Sequence, residues 1–128
     1  MGKILKYPAM LVCITFLAGC GMAQRGAIMW AYSDIEKGKY ESALRNLSDA
    51  EGYEEPAPEL KSEILYLRAV CYANMRRHDE AIGLLKYIID KFPDTSYAYQ
   101  AKEALLQIEK PFQIISPPKS PPIGHNKI

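Results

Sequence analysis

A spaced set of small and apolar residues between Ser62 and Pro93 restricts this chain more than any other feature. It runs Ala69-x2-Tyr72-x8-Ala81-x3-Leu85-x2-Ile88-x4-Pro93. In the first half Ile64, Leu65, Ala69, Tyr72 and Met75 recur at three- and four-residue intervals. In the second half Ala81, Ile82, Leu85, Ile88 and Ile89 do the same. That periodicity predicts two amphipathic helices, with small residues where they must approach closely. Arg76-Arg77-His78-Asp79 is too polar to bury and marks the turn between them. A helical hairpin with an apolar stripe on each arm cannot bury that surface alone, so copies of it are expected to stack.

A copy is present upstream. Shifted by 38 positions, Ala31 answers Ala69, Ala43 answers Ala81, Leu47 answers Leu85 and Ala50 answers Ile88. Gly38-Lys39-Tyr40 stands where the second copy has its basic turn, and Asp34 and Arg45 sit among apolar neighbours. The two copies are joined by Glu51-Gly52-Tyr53-Glu54-Glu55-Pro56-Ala57-Pro58, an acidic, proline-broken link expected not to continue a helix. A third unit begins after Pro93. Tyr99 follows Leu65, and Leu106 follows Tyr72, at an interval of 34. Asp94 or Ser96 is expected to cap this helix, and Tyr97-Ala98-Tyr99 through Leu105-Leu106 and Ile108 to form its apolar stripe. Glu103 occupies the position of Ala69, and Pro111 then forbids a second helix. The third unit is therefore half a repeat, placed to cap the stack.

These residues resemble tetratricopeptide (TPR) repeats, which have a period of about 34 residues and an Ala, aromatic and Pro signature. The stretch Ile89-Asp90-Lys91-Phe92-Pro93-Asp94-Thr95-Ser96-Tyr97-Ala98 is similar to repeats of periplasmic envelope-assembly lipoproteins. The fold class expected is all-α, a short α-solenoid of about two and a half TPR-like hairpins over residues 24–110. Its five helices are expected near 24–37, 40–51, 59–75, 79–92 and 96–110. The resemblance also implies a concave face, lined by the first helix of each pair, that holds a peptide of another protein. Carried over by register, that face presents Ile28, Tyr32, Ile35, Glu63, Tyr66, Val70, Asn74, Tyr97 and Gln100. Exposed tyrosines suit recognition, offering large area at low entropy cost with a polar end. The competing reading is that Tyr32, Tyr66 and Tyr97 merely border the core.

The amino terminus carries a different signal. Lys3 and Lys6 precede an apolar run from Ala9 to Leu17, and Leu17-Ala18-Gly19 ends in small residues. This is the layout of a secretory signal peptide, residues 1–19. Leu17-Ala18-Gly19-Cys20 resembles the lipobox of bacterial lipoproteins. The resemblance implies a diacylglycerol thioether on Cys20, cleavage before it and acylation of the new amino group, leaving residues 20–23 as a lipidated N-terminus. A thiolate is the nucleophile that takes the lipid. Two or three acyl chains anchor a protein stably where one does not. Gly21 stands where an Asp would imply inner-membrane retention, so the outer membrane, periplasmic face, is expected. The alternative is an uncleaved span from Tyr7 to Met22, which falls short of the ~20 apolar residues a membrane crossing needs.

The remaining composition narrows the function classes. Formal net charge is +1, and −1 once Lys3 and Lys6 are removed, with no basic face for nucleic acid. No phosphate loop, Cys-x2-Cys pair or His-Glu-x2-His helix occurs, and His78 and His125 are isolated. No catalytic residue, metal site or cofactor beyond the covalent lipid is therefore expected. Cys71 is left as a buried, inert packing residue. Residues 111–128 carry Pro117-Pro118 and Pro121-Pro122, which favour polyproline II in a disordered tail. That tail serves as a spacer or as a docking segment through Phe112, Ile114 and Ile115. The function expected is a lipid-anchored adaptor or scaffold for protein–protein interaction in an envelope assembly, secretion or export complex, with self-association possible at a short stack. A non-catalytic subunit of a peptidoglycan- or polysaccharide-processing enzyme is the second reading.

Overall fold

A computed structural model describes the backbone of residues 8–53 and 55–108, and side chains from residue 21 onward. The Cys20 side chain, the first seven residues and the Pro-rich tail lie outside the described residues. Five helices follow in order: α1 (Pro8–Glu36), α2 (Tyr40–Tyr53), α3 (Pro58–Asn74), α4 (His78–Lys91) and α5 (Ser96–Ile108). They form two antiparallel hairpins, α1–α2 and α3–α4, followed by a single helix. Each hairpin packs on the next, with α3 touching all four others. The fold is an all-α helical repeat.

The pairs related by the 38-residue shift are the seams of the stack. Ala31 and Ala69, Ala43 and Ala81, Leu47 and Leu85, and Ala50 and Ile88 are all buried. Alanine at the crossing points lets backbones approach closely, while the leucines and Ile88 fill the space between layers. α3 buries residues around most of its circumference, among them Leu67, Val70 and Cys71 as well as Ile64 and Ala69. A helix with neighbours on every side needs no polar stripe, which accounts for the near-continuous apolar run from Ile64 to Ala73.

Both hairpin turns end their first helix in the same way. Gly38 donates its N–H to Ile35 and Lys39 to Asp34, at 3.0 and 2.7 Å; Arg76 donates to Ala73 and Arg77 to Tyr72, at 3.2 and 2.8 Å. These paired bonds are Schellman caps, with Gly38 (φ 72°) and Arg76 (φ 64°) in the left-handed position. The Arg77 guanidinium lies 4.5 Å from the Tyr72 ring centroid, closing the second turn over its own helix. Asp34, polar in the first hairpin, accepts a hydrogen bond from the Asn46 amide at 3.0 Å.

Four expectations change. α1 begins at Pro8 rather than near residue 24, because nothing between Pro8 and Glu36 breaks a helix and proline suits a first turn. α2 runs on to Tyr53, into the expected link. Its last turn is held from outside, since Glu51 bridges Lys61 at 3.0 Å and Arg68 at 2.6 Å on α3. The cap of α5 is Thr95, not Asp94 or Ser96; its Oγ1 accepts the Ala98 N–H at 3.2 Å. Finally, α5 buries Tyr97, Ala98, Ala101 and Ala104, while Tyr99 and Leu106 are exposed. Those two hold the positions that would face a sixth helix, and among the described residues there is none. No helix of the described residues is long and apolar enough to cross a membrane.

Candidate functional site

The first helices, α1, α3 and α5, lie side by side in order and create the face where the candidate residues cluster. Four of the nine meet. The Tyr32 hydroxyl on α1 donates to Glu63 Oε1 on α3 at 2.8 Å. It also lies 3.3 Å from the Tyr97 hydroxyl on α5. With the Tyr32 proton committed to Glu63, Tyr97 is the donor in that second bond. Tyr66 on α3 completes the group, its ring 5.7 Å from that of Tyr97 and tilted by 49°. One carboxylate and three phenols thus stitch three helices together.

Tyr66 and Tyr97 are only 6% exposed, and Glu63 is buried beside them. The expectation of exposed tyrosines is corrected: the Tyr66 and Tyr97 rings fill the seams, and the Tyr97 hydroxyl finds a partner in Tyr32 that makes its burial tolerable. Tyr32, Asn74 and Gln100 keep part of their surface in solvent. Ile28, Ile35 and Val70 are buried in the core, where they serve packing. The solvent-facing part of the candidate set is therefore polar, carried by Tyr32, Asn74 and Gln100.

Burial shifts the phenols. Desolvation, with the charge and hydrogen bond of Glu63 adding to it, holds the Tyr32 proton well above the ordinary tyrosine range. Tyr97 is pushed up to about 12, chiefly by burial, and Tyr66 is raised for the same reason. These groups are neutral hydrogen-bonding phenols at physiological pH, suited to holding shape rather than to moving protons. Cys71 is also displaced, to about 12 by burial, which keeps the thiol protonated and unreactive. Among the described residues no group of three or more His, Cys, Asp or Glu side chains could hold a metal ion. Two open depressions lie away from this face, along α2. One of about 360 Å³ between the hairpin turns is lined by Lys39, Glu41, Arg45 and Met75 among others, and Ser48 and Asp49 line the second.

Sequence reasoning missed two tethers. Glu59, on the first turn of α3, accepts the Ser96 N–H through both oxygens at 3.3 Å and also the Ser96 hydroxyl. A carboxylate there satisfies orphan amides and meets the positive end of α5. Gln24 is buried in α1 and donates to the Ala50 carbonyl of α2 at 2.9 Å. Glu59 lies off the apolar period, and Gln24 is a polar residue on the period of Ile28, Ala31 and Ile35, so only spatial neighbours disclose the partner of each.

Stacked helical hairpins with small residues at each seam define an α-solenoid. The chain belongs to the tetratricopeptide repeat family, whose model matches residues 34–105, more than half of its length. Repeats of this family generally bind other proteins and are generally non-catalytic. No curated protein and no solved structure matches the chain.

Proposed function

We propose that this protein is a lipid-anchored TPR adaptor that holds partner proteins together in a bacterial envelope assembly, secretion or export complex. The observation that carries the proposal is the Leu17-Ala18-Gly19-Cys20 motif directly ahead of a binding-type solenoid. Export would remove residues 1–19 and leave Cys20 bearing diacylglycerol and an N-acyl chain. The domain would then stand on the outer membrane and face the periplasm. Residues 111–128 would provide a spacer. Partners are segments of other envelope proteins or a second copy, met on the α1–α3–α5 face through Tyr32, Asn74 and Gln100. Non-enzymatic scaffolding fits the raised, neutral phenols of that face, since none is poised to exchange a proton near neutral pH.

Metabolic labelling with a palmitate analogue tests the anchor. The wild-type chain should incorporate label and fractionate with membranes, and Cys20→Ala should lose both. Label retained in Cys20→Ala would refute lipidation at that residue. Crosslinking from intact envelopes then identifies the neighbours, and recovery of a cell-wall hydrolase or synthase would favour the enzyme-subunit reading.

A further inference from the structure

The outer face of α1 is apolar where a terminal helix of a solenoid needs a polar surface. Met22, Met29 and Trp30 are 77%, 72% and 67% exposed. Their separations of seven and eight residues set them on one side of the helix. The opposite side, Gln24, Ile28, Ala31 and Ile35, is buried against the rest of the fold. Between Gly21 and Ser33 the only charged residue is Arg25, which is exposed. The stripe begins two residues beyond Cys20, on a helix whose backbone is continuous through that cysteine.

We infer that this face of α1 lies on the lipid surface, so that the solenoid is held in one orientation against the membrane rather than swinging on its anchor. The inference rests on the proposed lipidation of Cys20. Acyl chains at that residue place Met22 at the headgroup boundary from the outset. The remaining stripe spans roughly 12 Å of helix at 1.5 Å per residue, all within reach of the same surface. Thioether and indole side chains suit the interfacial zone, where tryptophan combines an apolar ring with a hydrogen-bonding N–H. Arg25 supplies the charge complementary to lipid phosphates, and the absence of acid along the stripe removes the repulsion those phosphates would otherwise meet. A protein partner has no comparable reason to sit beside the anchor. The docked helix would leave the α1–α3–α5 face and the α5 end free.

Trp30 is the only tryptophan of the chain and reports directly on this face. The experiment uses the full, exported protein reconstituted in vesicles of phosphatidylethanolamine and phosphatidylglycerol, with its Cys20 peptide weighed by mass spectrometry. The expected result is a blue-shifted Trp30 emission, loss of quenching by acrylamide and gain of quenching by lipids brominated on their acyl chains. Met22→Ser with Met29→Ser should reverse all three while leaving the circular dichroism unchanged, since both side chains are exposed. Lipidated protein whose Trp30 stays open to acrylamide would overturn the inference alone. Trp30 shielded from acrylamide but untouched by brominated lipid would overturn it in favour of a second copy or a protein partner. An unmodified Cys20 would overturn the anchor and the inference together.

Discussion

At the residue scale, the inner face is governed by how tyrosine hydroxyls are satisfied. Tyr97 could be buried because its hydroxyl donates to Tyr32, whose own proton goes to Glu63. The arrangement makes stability depend on alkaline pH. All three phenols release their protons less readily in the fold than in the unfolded chain. The folded state therefore holds more protons than the unfolded one once pH passes the ordinary tyrosine value of 10.0. Their contribution is fully present below that pH and is lost as pH climbs toward about 12, where Tyr97 titrates in the fold. Melting temperatures measured across this range should be level on the neutral side and fall on the alkaline side. Replacing Tyr32 and Tyr97 together by Phe should flatten the alkaline fall relative to wild type. An unchanged slope would remove the cluster from the explanation.

At the scale of the element, helix ends show what local chemistry could and could not announce. Gly38 in the first turn is what a left-handed cap asks for, and the second turn achieves the same geometry with Arg76. A side chain in that region costs about 1–2 kcal/mol relative to glycine's free access to it. Glycine in turn gives back some unfolded-state entropy, so Arg76→Gly should stabilise by a net of roughly 0.5–1 kcal/mol. Urea unfolding monitored by helicity would register this as a higher midpoint with the same slope, whereas a lower midpoint would mean that Arg76 makes a contact worth more than the strain. The polar run Arg76-Arg77-His78 was readable as a turn from composition. Its left-handed residue was not, because arginine carries no preference for that conformation. The cap of α5 is similar: three of the four residues Asp94, Thr95, Ser96 and Tyr97 have capping side chains or near equivalents, and packing against Glu59 selected the register.

For the whole molecule, the middle and the carboxyl-terminal helix are unlike. α3 is enclosed on all sides, whereas α5 has one hairpin beneath it and leaves Tyr99 and Leu106 in solvent. Protection from hydrogen exchange should therefore be greatest in α3 and weaker in α5, the expected order when local opening follows burial. Glu59→Ala removes the tether between them and should speed exchange in α5 by about fivefold, the usual effect of losing a cap, while α1 and α2 exchange as before. Equal acceleration in every helix would show that the stack opens as one unit. The half repeat at the carboxyl end was apparent from the 34-residue interval, but its consequence was not. The interval says which positions are equivalent, and only the assembled stack shows that the equivalent of a buried position can be bare where the described residues supply no partner helix.

The division between chain and fold follows from this. Periodicity, small residues at fixed intervals and the proline stops determined a stack of helical hairpins and the eight seam positions. Those depend on helix geometry, which is the same everywhere along a chain. The fate of the tyrosines, the reach of Glu59 and Gln24 and the bare face of α1 depend on which helices become neighbours. Residues far apart in sequence decide that, and they meet only when the layers close.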